Sequence, residues 1–363
     1  MEDDDLLVSF GVSDAHCHPQ DDPVACASGL AAVSKCRYLA AMGTRLEDWE
    51  AVEELAVREP DKVIPCFGVH PWFAHLHALD QAAAAPADPS LPAPLPLLLD
   101  CPANGKDHPS RHPDLMPRLA PLPPATWFPR LRALLERYPQ AVVGEFGLDR
   151  VAVVPGTRLQ PSWSHQLALT ELHLRLASEL GRPASLHCVQ GYGHLQDMMR
   201  RLGPEGFPPK VMLHSYGGSV DLIRGFTKLP GGVGERVYFR RVDCLPPTRR
   251  FLKSTLHARA PTPTPTPTRC LPAAVSPPSS MAELATKLLE RLRAAPLERL
   301  LVESDQCSPR RVDSGLRDIL EAVAEARGIS LEQAAAATSE NFRTFYATSL
   351  ERMGRGEGKG ERR

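Results

Sequence analysis

Outside two proline-rich stretches, the chain alternates short apolar runs with longer amphipathic ones. LLVSFGVSDAH (6–16), CRYLAAMG (36–43), KVIPCFGVH (62–70), AVVGEFGLD (141–149), PASLHCV (183–189), KVMLHSY (210–216), ERVYF (235–239) and LERLLVESD (297–305) read as eight strands. Between them lie helical patterns. LEDWEAVEELAVREP (46–60) ends at proline and PSWSHQLALTELHLRLASELG (161–181) at glycine, as helices commonly do. MAELATKLLERLRAA (281–295) and VDSGLRDILEAVAEARG (312–328) are also amphipathic, and a last helix is expected over 330–349. Eight strands alternating with helices imply a parallel sheet, and eight is the number that closes a TIM (β/α)8 barrel. No G-x-G-x-x-G turn follows any strand, which disfavours an open doubly wound sheet.

Spacing supports the barrel. One βα unit takes roughly 31 residues. His187 lies 42 residues after Glu145, and His214 lies 27 after His187, each near one unit. The longer intervals, His18 to Glu145 and His214 to Asp305, exceed whole units by about the length of the proline-rich stretches inside them.

Proline sets those stretches apart. The chain has 37 prolines in 363 residues, about twice the ordinary ~5%, concentrated near 86–129 and 246–278. Such segments supply little core. They read as insertions, about 76–126 and 244–280, within one barrel domain spanning 1–350, followed by a charged, disordered tail at 351–363.

Polar groups recur at the C-terminal ends of the strands. His16 and His18 end the first, Glu145 the fourth, His187 the fifth, His214 the sixth and Asp305 the eighth. Strand alternation points His16 and His18 the same way and Cys17 the other. In a closed barrel these ends meet on one face, where barrel active sites are built. Four imidazoles and two carboxylates are the nitrogen and oxygen ligands of one or two divalent ions such as Mg²⁺, Mn²⁺ or Zn²⁺, and Glu145, between two half-sites, could bridge a pair. His70, ending the third strand, divides evenly between substrate contact and a structural turn. Asp149 and Arg150 are expected to support the ligands. His165 and His173 are expected to face outward from their helix, and His75, His77, His108 and His112 to belong to the insertion or its edge. Cys17, Cys66 and Cys188 read as packing residues.

Charge and cysteine content narrow the function classes. With 42 basic and 43 acidic residues, the net charge of −1 argues against a broad basic face for nucleic acid, though not against local grip on a few phosphates. Nine cysteines with no C-x-x-C indicate neither a disulfide framework nor a zinc ribbon. The acidic start MEDDDLLVSF lacks signal-peptide character and no apolar run reaches membrane-spanning length, so a reducing compartment, cytoplasmic or nuclear, is expected, with no membrane partner. No G-x-S-x-G elbow, Walker A loop or H-E-x-x-H helix is present.

The motifs DAHCHP (14–19), FGVHPWF (67–73), GEFGLD (144–149), LASELGRPASLHCV (176–189), VMLHSYGGS (211–219), LLVESD (300–305) and ENFRTFY (340–346) resemble the TatD-type metal-dependent deoxyribonucleases of the amidohydrolase-like barrels. The match covers roughly 12–73, 127–239 and 281–347. The resemblance implies a TIM barrel, a mono- or dinuclear divalent-metal site and hydrolysis of phosphodiester bonds in DNA, with oligonucleotide ends as substrate. It implies that His16, His18 and Asp305 hold a first ion, that Glu145 bridges, and that His187 and His214 hold a second. Asp305 would also orient or deprotonate the attacking water. The wording is most similar to a fungal branch described as interacting with a subunit of the anaphase-promoting complex, which implies such a protein partner and an alternative role as a catalytically weak or inactive interaction protein. A related amidohydrolase acting on another ester or amide is a further alternative; dinuclear members of that group often carry a carboxylated lysine where Glu145 stands. Two departures stand out: the 76–126 insertion follows the His70 motif, and the seventh strand runs into RRVDCLPPTRRFLKSTLHARAPTPTPTPT, which reads as a foreign insertion.

Overall fold

The computed structural model describes residues 6–27, 29–80, 98–100, 119–154, 157–240 and 281–354. Its centre is one eight-stranded parallel sheet: β1 (Asp14–Cys17), β2 (Leu39–Met42), β3 (Val63–Phe67), β4 (Val142–Asp149), β5 (Ala184–Val189), β6 (Val211–Leu213), β7 (Val237–Arg240) and β8 (Leu300–Leu301), paired in chain order. Between β8 and β1, Ala15 N donates to Val302 O at 3.2 Å and Asp305 N to His16 O at 3.1 Å, which brings the last strand back to the first. The fold is the TIM barrel that the pattern predicts.

Side chains alternate across this wall. Leu39, Ala41, Val63, Phe67, Val211, Leu213, Val237 and Phe239 face the surrounding helices. Ala40, Met42, Ile64, Cys66, Met212, Tyr238 and Leu301 fill the barrel, whose floor is closed by Phe342, Phe345 and Tyr346. Apolar burial on both faces is what lets a parallel sheet exist. Cys17 and Cys188 lie in the outer layer, where burial pushes both thiols up, as packing residues should behave.

The helices outside the wall are α1 (Leu46–Arg58), α2 (Pro124–Arg137), α3 (Trp163–Glu179), α4 (Tyr192–Gly206), α5 (Val220–Thr227), α6 (Met281–Ala294), α7 (Val312–Arg327), α8 (Leu331–Phe345) and α9 (Ala347–Gly354). Their ends follow local chemistry. Asp48 accepts from Thr44 N and Arg45 N ahead of α1, Ser330 and Gln333 form a reciprocal capping box on α8, and Gly328 takes the left-handed conformation after α7.

Several expectations are corrected. The apolar start 6–16 is not one strand: Leu6–Ser9 is a helical turn, and Gly11, at φ 60°, turns the chain before β1. Tyr346 divides the expected 330–349 helix, because its buried hydroxyl reaches in to donate to Ala15 O at 2.6 Å. Residues 351–354 of the expected tail belong to α9, which sets Leu350 and Met353 against the barrel floor. The 76–126 insertion ends inside α2. Its neck is closed by Leu122 N donating to Leu76 O at 2.8 Å and Ala78 N to Leu122 O at 3.0 Å, and Leu99–Asp100 pairs antiparallel with Gln160–Pro161, ahead of α3. His108, His112 and the whole insertion at 244–280 lie outside the described residues.

Candidate metal centre

The strand ends converge on Glu145. Its position depends on a break in β4 alternation: Val143 and Phe146 both face the helices, which alternation forbids unless one residue is added. The ladder with β5 shifts register between these two residues, and Glu145 is thereby turned into the barrel mouth, 2% exposed. Glycine makes the close approach to β5 feasible, because a Cβ on Gly147 would sit 1.9 Å from His187 O.

The two carboxylate oxygens of Glu145 face different groups. Oε2 lies 3.3 Å from His16 Nε2 and 3.3 Å from His18 Nε2, and those nitrogens are 3.2 Å apart. Asp305 Oδ1 completes this set at 3.8 Å and 3.7 Å from the same nitrogens. Oε1 lies 2.7 Å from His214 Nε2, 3.1 Å from His187 Nδ1 and 3.4 Å from His70 Nε2. Every residue predicted for the site is therefore brought together.

Hydrogen bonds behind the imidazoles fix which nitrogen is offered. Asp149 Oδ2 is 3.3 Å from His187 Nε2 and also accepts from Trp72 Nε1 at 2.8 Å, so His187 presents its Nδ1 lone pair inward. His18 Nδ1 donates to Met42 O at 3.2 Å, leaving Nε2 for the centre. His16 Nδ1 meets Ser185 Oγ at 3.0 Å. His70 differs. Its Nδ1 accepts from Trp72 N at 3.1 Å, which places the proton of the neutral ring on Nε2, facing Glu145.

The electrostatics agree. Burial favours a protonated Glu145, but His214, His70 and His16 around it hold the carboxyl well below the usual range, so it stands as an anion. Burial pushes His70 down to about 4 and His16 well below its ordinary value, so both rings are neutral near pH 7. His18 is raised to about 9, since the hydrogen bond and charge of Glu145 outweigh its burial. Asp305 stands in the left-handed region at φ 50°, a conformation rare outside glycine and frequent at functional sites.

The residues fit a divalent ion. Ligand atoms ~2.1 Å from one ion lie about 3.0–3.4 Å from each other, the spacing of the His16, His18 and Glu145 donors; on the other side His187 Nδ1 and His214 Nε2 are 3.1 Å apart and lie 3.1 Å and 2.7 Å from Glu145 Oε1. Among the described residues, four carboxylates, Asp14, Glu145, Glu303 and Asp305, share this end of the barrel with one guanidinium, Arg240, and the raised His18, an excess of negative charge that cations would neutralise.

Other expectations divide. Asp149 stands behind His187, 3.3 Å from its Nε2, whereas Arg150 is exposed and stacks on Trp163, its guanidinium 4.2 Å from the ring centre. His165 and His173 do not face outward. They sit on the buried stripe of α3, His165 Nε2 donating to His77 O at 2.9 Å and His173 stacked on Phe146. His75 and His77 are likewise buried, built into the segment after β3. Sequence reasoning missed Glu303 and Arg240. Alternation carried the signal: Glu303 shares the parity of Leu301 and Asp305, and Arg240 that of Tyr238, so both face into the barrel.

The fold and this donor set define a metal-dependent hydrolase on a (β/α)8 barrel. Residues 13–241, more than half of the chain, match the family described as TatD related DNase, and the chain belongs to that family. It is similar to the Cut9-interacting protein scn1 of Schizosaccharomyces pombe, at 27% identity over 92% of this chain and 98% of that protein. It is also similar to an uncharacterized deoxyribonuclease of Saccharomyces cerevisiae, at 25% identity over 58% of this chain and 68% of that protein. Among solved structures, a TatD family hydrolase from Entamoeba histolytica superposes with a TM-score of 0.57 at 14% identity, covering 92% of this chain and 97% of that one. The TatD homolog YJJV from Escherichia coli k12 gives 0.55 at 16%, covering 93% and 98%. These two structural likenesses establish the fold. Among the described residues, no helix is long and apolar enough to cross a membrane.

Proposed function

We propose that the protein hydrolyses phosphodiester bonds in DNA, working from strand ends, with His16, His18, Glu145, His187, His214 and Asp305 holding two divalent ions. The observation that carries this reading is the division of Glu145, with Oε2 toward His16 and His18 and Oε1 toward His187 and His214. Mg²⁺, Mn²⁺ or Zn²⁺ bound there would supply Lewis acidity toward a phosphate and ease ionisation of water.

The chain's own residues do the rest. Asp305 is the most exposed of the acidic groups, its side chain 29% accessible, and Ser215 Oγ donates to its Oδ2 at 3.1 Å. It is placed to orient the attacking water and take its proton. His70, with its proton on Nε2, donates toward the substrate oxygen that approaches Glu145. The strand pair of Leu99–Asp100 with Gln160–Pro161 meets the residue after β4, Gln160 Nε2 donating to Arg150 O at 3.2 Å, and crowding there would favour a terminus over a duplex interior.

End-labelled single- and double-stranded oligonucleotides, incubated with each ion in turn, test the proposal: stepwise shortening that stops on chelation is expected. A second reading, a barrel with little or no turnover that serves as a protein partner in the anaphase-promoting complex machinery, is favoured by similarity along 92% of the chain to a Cut9-interacting protein. It predicts a folded, metal-loaded protein that leaves every oligonucleotide intact.

A further inference from the structure

Beneath the metal centre lies a second layer of charge. Arg240, the last residue of β7, is fully buried; its guanidinium pairs with Glu303 and stands 3.5 Å from Asp14 Oδ1. Glu303 is also fully buried. Its Oε1 accepts from Ser215 N at 3.1 Å and lies 3.2 Å from Ser215 Oγ, and its Oε2 lies 3.5 Å from His214 Nδ1. Ser215 holds this bridge from a left-handed backbone, φ 42°, directly after the His214 it follows.

A buried ion pair adds little net stability over apolar residues of the same volume, and the neighbouring interior positions Tyr238 and Leu301 are apolar. Stability therefore does not explain why charge is placed here. Geometry does. His214 can offer Nε2 to the centre as a lone pair only if its other nitrogen carries the proton, and a carboxylate facing Nδ1 selects that state. Glu303 also comes within reach of His16 and His214 as a possible ligand group, but with Arg240 and Ser215 on its oxygens it serves there as a hydrogen-bond acceptor.

We infer that Glu303 is a positioning residue for His214, and that Arg240 locks the Glu303 carboxylate in place, so that the seventh strand contributes to the metal centre from inside the barrel. The inference rests on the metal-centre reading above. Through Ser215, whose backbone N–H donates to Glu303 and whose hydroxyl donates to Asp305, the same layer aligns the eighth strand end with the sixth.

The test is calorimetric titration of the metal-free full chain with Mn²⁺, comparing wild type with Glu303→Gln, Glu303→Asp and His214→Ala. Glutamine keeps the volume but sets an amide N–H₂ among donors. Glu303→Gln should weaken by about 10–100-fold the ion whose binding His214→Ala removes, leave the ion bound by His16 and His18 near its wild-type affinity, and retain the wild-type circular dichroism. Glu303→Asp should recover part of the loss. Should Glu303→Gln fail to fold, Ser215→Ala, which removes one hydroxyl, should show a smaller loss at the same ion. Wild-type affinity in a folded Glu303→Gln, or in Ser215→Ala where that stands in, overturns the inference while leaving the hydrolase reading intact. A wild type that binds no Mn²⁺ overturns both.

Discussion

Trp72 donates its indole N–H to Asp149 Oδ2 at 2.8 Å, and through that carboxylate the segment after β3 sets the orientation of His187. The contact joins a residue at the insertion's base to a histidine of the candidate centre. Trp72→Phe keeps the ring and removes the donor. It should weaken binding of the ion beside His187 by about tenfold, within the range of outer-shell changes, with little change in melting temperature. Metal titration monitored alongside thermal unfolding checks this; an unchanged affinity would mean that Asp149 holds His187 without help.

Glu145→Ala removes the one group shared by both histidine sets. Hydrolysis should fall by at least about 100-fold and bound metal should drop below the wild-type stoichiometry, with the barrel intact by circular dichroism. Retained turnover with full metal content would show that the two sets do not act through a shared carboxylate.

Acid should destabilise the fold through histidines away from the centre. Burial lowers His75 and His173 to about 4 and His77 to about 3. Each folded value lies below the unfolded value of about 6.5, so the unfolded chain binds more protons in between. Their contribution is complete above pH ~6.5 and is lost as pH falls toward 4. His173 stacks on Phe146, 4.8 Å between ring centres, and its Nε2 has no hydrogen-bond partner among the described residues. His173→Phe should therefore flatten the decline in melting temperature between pH 6.5 and 4, removing up to roughly 3 kcal/mol of pH-dependent stability. Parallel curves for wild type and variant would count against a buried neutral His173.

Binding of DNA should depend gently on salt. The net charge is −1, so contact with roughly one to three phosphates is expected, with a correspondingly shallow slope of log affinity against log salt. Exposed Arg150, on the ring of Trp163 one residue beyond Asp149, is a cation placed to make one of them. Arg150→Ala should reduce the slope by about one. Tight, metal-independent binding with a steep slope, measured with a fluorescent oligonucleotide, would point to a basic docking surface and a binding module.

Much of this was legible in the chain because both periodicities are strong. Each of the eight strand patterns holds one strand of the sheet, the first only at its end, and the six ligand candidates meet because parallel strands put all their C-terminal ends on one face. What was not legible has physical reasons. The inward turn of Glu145 depends on a register shift that alternation cannot express. His165 and His173 lie on the buried stripe with Leu169, yet read as polar. The Arg240–Glu303 pair joins strands separated in sequence, and only their juxtaposition in space shows that each charge has its counter-charge.

The central claim is that Glu145 stands between two ion sites on a hydrolytic barrel, and elemental analysis of the purified full chain beside its Glu145→Ala variant tests it most directly. The account predicts divalent metal in the wild type, up to two ions per chain, a lower content in the variant, and cleavage of oligonucleotides that is lost on chelation and restored by Mg²⁺, Mn²⁺ or Zn²⁺. A folded wild-type protein that neither retains nor takes up divalent metal, or cleavage indifferent to chelation, would contradict it.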